Sequence, residues 1–160
     1  MRINKLEIIG IIHSPFEEIE NMPIQPKGAS DIEGTVHLNE LYVEALKDLN
    51  GFSHIYLIYL FHKAKRTSLT VTPFLDTSER GVFATRSPLR PNHIGLSIVQ
   101  LVKIEGAILT VRGIDVLDKT PLLDIKPYID NFDSVRNSSS GWMTANIEEV
   151  SNKRSDNRFK

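Results

Sequence analysis

The stretch IGLSIVQLVKIEGAILTVRGIDV, residues 94–116, sets the tightest limit on how this chain can fold. It is rich in Val, Ile and Leu, and Glu105-Gly106 breaks it into two runs, which predicts a hairpin. Shorter β-rich runs flank it. Residues 5–12 predict a buried strand, 33–38 a short one, 53–62 a central strand buried on both faces, and 69–74 another. Residues 17–32 mix acids, prolines and a glycine and predict a long loop. One main helix is expected. Asn39 caps it, Glu40 lies in its first turn and Gly51 follows its end, while Leu41, Tyr42, Ala45, Leu46 and Leu49 share one face. Short strands at this spacing with one helix predict a mostly-β (α+β) domain, a barrel or a sandwich.

The 160 residues fit one domain, and an apolar fraction of 41% supports a core. The chain has no cysteine, which excludes disulfides, thiolate zinc sites and a cysteine nucleophile. No apolar run approaches the roughly 18 residues that span a bilayer, and the N-terminus has no cleavage site of the signal-peptide kind. The expectation is a cytoplasmic protein with no membrane partner. A net charge of −1 does not mark the whole chain as a nucleic-acid binder. Between His62 and Arg90, however, Lys63, Lys65, Arg66, Arg80, Arg86 and Arg90 face only Asp76 and Glu79. A local patch of this kind suits phosphate.

Residues 81–97, GVFATRSPLRPNHIGLS, contain Arg86, Arg90, Asn92 and His93 and no acid. Pro88 and Pro91 rule out helix in the middle of this stretch. A stiff loop with clustered arginines and little apolar content is suited to holding an anion rather than to building core. Known cofactor motifs are missing: there is no G-x-G-x-x-G after a strand, no P-loop, no G-x-S-x-G and no H-E-x-x-H. The five histidines show no metal spacing, so no metal is expected. The residues alone stop at a β domain with a basic loop.

That loop, together with GIIHSPF (10–16), PIQP (23–26), EGTVHL (33–38), LNGFSHIYLIYLFHKA (49–64) and KTPLLDIKPYID (119–130), resembles the TsaA-like, or TrmO, family of tRNA (adenine-37-N6)-methyltransferases. The match covers most of residues 5–130, with its motifs in order. The resemblance implies a small β-barrel-like, non-Rossmann domain that uses S-adenosyl-L-methionine. It also implies a homodimer and, as partner, the anticodon loop of tRNA. The substrate it implies is N6 of adenosine 37 already carrying a threonylcarbamoyl group. Carried over by motif, the cofactor contacts are Gln25 and Pro26, His62 and Lys63, Arg86, Leu96, and the turn Asp118, Lys119, Thr120 and Pro121. Arg86 would hold the cofactor carboxylate or an RNA phosphate. The family usually has glycine where this chain has Lys119, which matters if the position needs a positive φ.

Asp124, Lys126 and Tyr128 alternate along one strand face beside that turn. They are the catalytic candidates, with Asp124 removing a proton or positioning substrate and Lys126 holding phosphate or orienting the carboxylate. Arg90, Asn92 and His93 face RNA or brace the loop. Two rival functions stay open: methylation of a small molecule, and a non-catalytic barrel that binds RNA or ligand. Residues 1–136 are expected to form the methyltransferase domain. Residues 137–160 begin with the linker-like NSSSG and form an extension whose basic end frays. The chain has no room for the extra C-terminal domain of longer bacterial members.

Overall fold

The computed structural model describes residues 6–20, 22–24, 26–144, 147–156 and 158, without the side chains of 26, 27 and 147. Its centre is a closed six-stranded antiparallel barrel. The strands are β1 (Gly10–His13), β2 (Glu33–Leu38), β3 (His54–Leu60), β6 (Ile94–Glu105), β7 (Ile108–Arg112) and β8 (Thr120–Pro127). Around the barrel the order is β1-β2-β7-β6-β3-β8, and β8 pairs back onto β1. Closure removes every free strand edge from the barrel. A two-stranded ribbon, β4 (Thr70–Val71) with β5 (Arg80–Gly81), stands apart from it.

The expected hairpin is β6–β7, and Gly106 takes a φ of 60° at its turn, where glycine carries no steric cost. Period-2 alternation sends Ile12, Val36, Ile55, Leu57, Val99, Leu109, Val111 and Leu122 inward, all essentially buried. Side chains therefore fill the barrel, and ligand chemistry belongs to its outer wall and rims.

Several expectations change. The stretch after Asn39 is not an α-helix. Asn39 does cap it, accepting from the Leu41 N–H at 3.1 Å, but Glu40–Leu46 and Leu49–Gly51 are 3-10 turns. Three residues per turn put Glu40, Val43 and Leu46 in one row, and Lys47 and the left-handed Asp48 break the winding before Leu49. Leu46 is buried, whereas Leu41, from the expected helical face, is 82% exposed. The buried strand expected over residues 5–12 begins only at Gly10, and Leu6 and Ile8 are exposed. β3 is buried on its inner face only, for Tyr56, Ile58 and Leu60 are half-exposed on the outer wall. The strand expected at 69–74 shrinks to Thr70–Val71, since Pro73 offers no N–H to continue it.

The basic end of the C-terminal extension, expected to fray, makes contacts with the domain, whereas residues 137–141 are exposed. After the single turn α1 (Asp130–Asp133), short helix α2 (Ile147–Asn152) packs on the 3-10 turn Pro26–Ala29, and Ser155 bonds the loop at Ile19 and Met22. Polar composition hid this because the docking is made largely by hydrogen bonds from the side chains of Ser155, Trp142 and Arg158 to backbone carbonyls.

Candidate active site

The outer wall formed by β8, β3 and β6 carries two lateral rows. Leu96 pairs with Ile58 and Ile58 with Asp124, while Ile98 pairs with Tyr56 and Tyr56 with Lys126. A bulge between Ile58 and Tyr59 resets the phase of β8, so that Asp124 and Lys126 face outward although Leu122 faces the core. Asp124 and Lys126 are ion-paired at 2.8 Å on an open surface. Asp124 also accepts from the Ile125 N–H at 2.9 Å. The Tyr128 ring rests 5.8 Å from that of Tyr56, and its hydroxyl donates to Asp130 at 3.2 Å. Crowding by its neighbours, then the Asp130 carboxylate, raises the Tyr128 phenol above its ordinary value. The three catalytic candidates thus share a face, next to the half-exposed Leu96.

At one rim, β3 runs out into His62 and Lys63 as β8 begins at Thr120. The Thr120 hydroxyl donates to the Leu117 carbonyl at 2.7 Å and lies 3.5 Å from Nδ1 of His62. Desolvation and then the charge of Lys63 push the His62 imidazole below its ordinary value, against the pull of Asp118. Lys119 adopts a φ of 61°, so this is a left-handed turn that favours glycine. Asp118 accepts from Nδ1 of His13 at 2.9 Å and from the Ser14 N–H at 3.3 Å. Desolvation opposes the charge of Asp118, but the His13 bond and the N–H groups of Ser14 and Lys119 outweigh it. They hold the carboxyl below the usual range. His62, Lys63, Asp118, Lys119, Thr120 and Pro121 therefore converge. Gln25 lies outside the described residues, and Pro26 opens the 3-10 turn Pro26–Ala29.

His13 was missed as a site residue although it sits in the GIIHSPF motif. It lines a shallow open groove with Ser14, Pro15, Glu33, Gly34, Thr35 and Thr110. Its ring meets that of His37 edge-on at 4.6 Å.

The basic loop does build core, contrary to expectation. Val82 and Leu89 are buried with Val71, and Phe74 packs against them. Arg90 donates to the Thr85 carbonyl at 3.2 Å and His93 Nδ1 to the Pro88 carbonyl at 2.8 Å, which makes both braces of the loop. Phe61 N–H bonds the His93 carbonyl at 2.8 Å and ties the loop to the end of β3.

A second missed group lies within reach of the charge of Arg86. Tyr59 O–H donates to Ser97 Oγ at 3.0 Å, and Ser97 donates to Asp115 at 2.7 Å. Asp115 is half-buried, and desolvation of its carboxyl raises its pKa to about 6, with the Ser97 bond and the Arg86 charge pulling the other way. The charge of Arg86 reaches both Asp115 and Tyr59. The sequence did hold a signal: Ser97 occupies an inward position on a strand otherwise lined by Gly95, Val99 and Leu101, and a buried hydroxyl requires a partner.

The model of the tRNA-methyltransferase O N-terminal domain matches residues 11–134, which takes in the barrel, the ribbon and both rims. The chain belongs to this family. A probable S-adenosyl-L-methionine-binding protein of Pyrococcus abyssi is 52% identical over 151 residues, 94% of this chain and 82% of its own length. The tRNA (adenine(37)-N6)-methyltransferase of Escherichia coli is 36% identical over 148 residues, 86% of this chain and 63% of its own. The crystal structure of TrmO from Pseudomonas aeruginosa shares the fold with a TM-score of 0.75 at 40% identity, covering 88% of this chain and 63% of that one. The chain thus spans less than two thirds of these last two bacterial proteins. The tRNA-methyltransferase O fold accounts for the barrel and excludes a Rossmann architecture. Among the described residues, no helix is long and apolar enough to cross a membrane.

Proposed function

We propose that this chain is an S-adenosyl-L-methionine-dependent methyltransferase acting on tRNA, at N6 of threonylcarbamoyladenosine 37. The observation that carries the reading is the convergence of His62, Lys63 and the Asp118–Pro121 turn at one rim, next to the outer wall that bears Leu96 and Asp124. The names of the relatives in Pyrococcus abyssi and Escherichia coli support the cofactor and the reaction.

The residues present fit the cofactor chemically. Asp118 is held ionised and suits a ribose hydroxyl or an ammonium group, Arg86 suits a carboxylate, and the half-exposed Leu96 offers an apolar face for adenine. When bound, the cofactor supplies a methyl group already made electrophilic by its sulfonium, so the protein needs no covalent nucleophile. The work left to the chain is to align the acceptor and accept its proton. Asp124 and Lys126, paired on the acceptor side, position the substrate. The threonylcarbamoyl group makes the N6 proton easier to lose and lowers the demand for a strong base. Lys63, Lys65 and Arg66 supply phosphate contacts at the same rim. We further infer a cytoplasmic homodimer whose interface lies near the cofactor site and draws on residues 52–61, where Tyr56 and Ile58 are incompletely buried in the single chain.

The test is incubation with labelled methyl donor and tRNA from cells lacking the activity, followed by digestion. Label in N6-methylated threonylcarbamoyladenosine is the expected result. Label only in a small-molecule fraction would favour the rival substrate class.

A further inference from the structure

The C-terminal extension lies outside the family match, and its contacts fall on two separate segments of the domain. On one side it holds the loop that leads into the Pro26–Ala29 turn. Ser155 N–H donates to the Met22 carbonyl at 2.9 Å, Met22 N–H donates back to Ser155 Oγ at 3.0 Å, and the Ser155 hydroxyl reaches the Ile19 carbonyl. Arg154 bridges to Pro23. A β-carbon at Gly28 would lie 3.2 Å from the Ser151 carbonyl, so α2 and the turn are in close contact.

On the other side the extension holds the ribbon and the basic loop. Trp142 Nε1–H donates to the Ala84 carbonyl at 2.8 Å, two residues before Arg86, and Arg80 stacks 5.5 Å from the Trp142 ring. Arg158 donates to the Pro73 carbonyl at 2.8 Å and lies 5.1 Å from the Phe74 ring, while Asp156 holds its guanidinium at 2.8 Å.

We propose that the C-terminal extension, through Trp142, Ser155 and Arg158, straps both the loop that leads into the Pro26–Ala29 turn and the loop bearing Arg86, with Ser155 and Trp142 as positioning residues for the cofactor site. Residues 17–32 are a long loop with little regular structure of its own, and such a loop keeps one geometry only when something outside it satisfies its backbone. Ser155 does this with three bonds at one point. Without the strap the two loops sample arrangements that cannot both face one ligand, and apparent affinity falls with the competent fraction. By reciprocity, the ligand that engages both loops tightens the strap. The inference rests on the cofactor reading given above.

The experiment uses the full chain and its Trp142→Phe, Ser155→Ala and double variants. It measures S-adenosyl-L-homocysteine affinity by calorimetry, thermal midpoint, and the rate of trypsin cleavage after Lys153 and Arg154 with and without that ligand. Loss of two or three neutral hydrogen bonds predicts a fall in affinity of about tenfold in the double variant. The ligand should also slow cleavage of the wild-type strap. A strap that only adds stability would lower the midpoint while leaving affinity within twofold and cleavage indifferent to ligand, and that result overturns the inference. Absence of binding by the wild type would overturn the cofactor reading, and the strap inference with it.

Discussion

The ring of Tyr59 lies directly against the backbone of Gly95 on the neighbouring strand. A β-carbon at 95 would come within 2.2 Å of the ring. The same ring delivers its hydroxyl to Ser97, and through Ser97 to Asp115. Gly95 is thus the space that lets a buried polar chain form inside an apolar barrel.

Gly95→Ala should therefore destabilise the protein by roughly 2–4 kcal/mol, because the ring must leave its position and the hydrogen-bonded chain with it. Denaturant unfolding checks this. A midpoint unchanged from wild type would show that the ring has room to shift.

Asp115 makes stability depend on pH. Its folded pKa, about 6, lies above its ordinary value of 3.8. The native state therefore binds this proton more tightly than the unfolded chain. The associated stability is fully present below about pH 4 and is lost as pH rises through about 6. Asp115→Asn keeps an acceptor for Ser97 and removes the titration. The wild-type stability minus that of the variant should fall by up to roughly 3 kcal/mol between pH 4 and 7. A flat difference curve over that range would place the carboxyl in contact with water.

Lys119 has a φ of 61°, a left-handed conformation that favours glycine. Lys119→Gly removes a left-handed strain of about 1–2 kcal/mol and adds about 0.5–1 kcal/mol of backbone entropy, for a small net gain in stability. Lys119→Val should lose about 1 kcal/mol or more, since a β-branched residue tolerates this φ poorly. Thermal unfolding of the pair tests the turn, and equal midpoints for the two variants would refute it.

Salt dependence separates RNA from a small-molecule substrate. Within the basic patch Arg80 is engaged with Asp76 at 2.7 Å and Arg90 with the Thr85 carbonyl, so Lys65 and Arg66 are the changes that test the patch for phosphate contacts. tRNA affinity should fall steeply with salt, and Lys65→Ala with Arg66→Ala should reduce the slope by roughly one unit per lost contact while sparing cofactor binding. An unchanged slope in the double variant would move the RNA to another face.

If the ion-paired Asp124 and Lys126 position the acceptor as proposed, Asp124→Asn should lower turnover more than cofactor affinity. Single-turnover rates and calorimetry together check the split. A loss confined to cofactor affinity would move Asp124 into the cofactor site.

The sequence by itself determined what is local. The hairpin turn at Gly106, the Asn39 cap, the strand at Glu33–Leu38 and the alternation of Asp124, Lys126 and Tyr128 all follow from side-chain period and turn chemistry within a few residues. The motif order also carried the family, and with it the grouping of His62 with the Asp118–Pro121 turn. Only the tertiary structure decided which strands close the barrel, that the stretch after Asn39 winds as 3-10 turns, and that Ser97 meets Asp115 eighteen residues away. It alone joined His13 to Asp118 and Ser155 to Met22 across more than a hundred residues. The reason is physical. Local preferences are fixed by the backbone and its nearest side chains, whereas a buried polar group or an unsatisfied loop carbonyl is indifferent to where in the chain its partner lies.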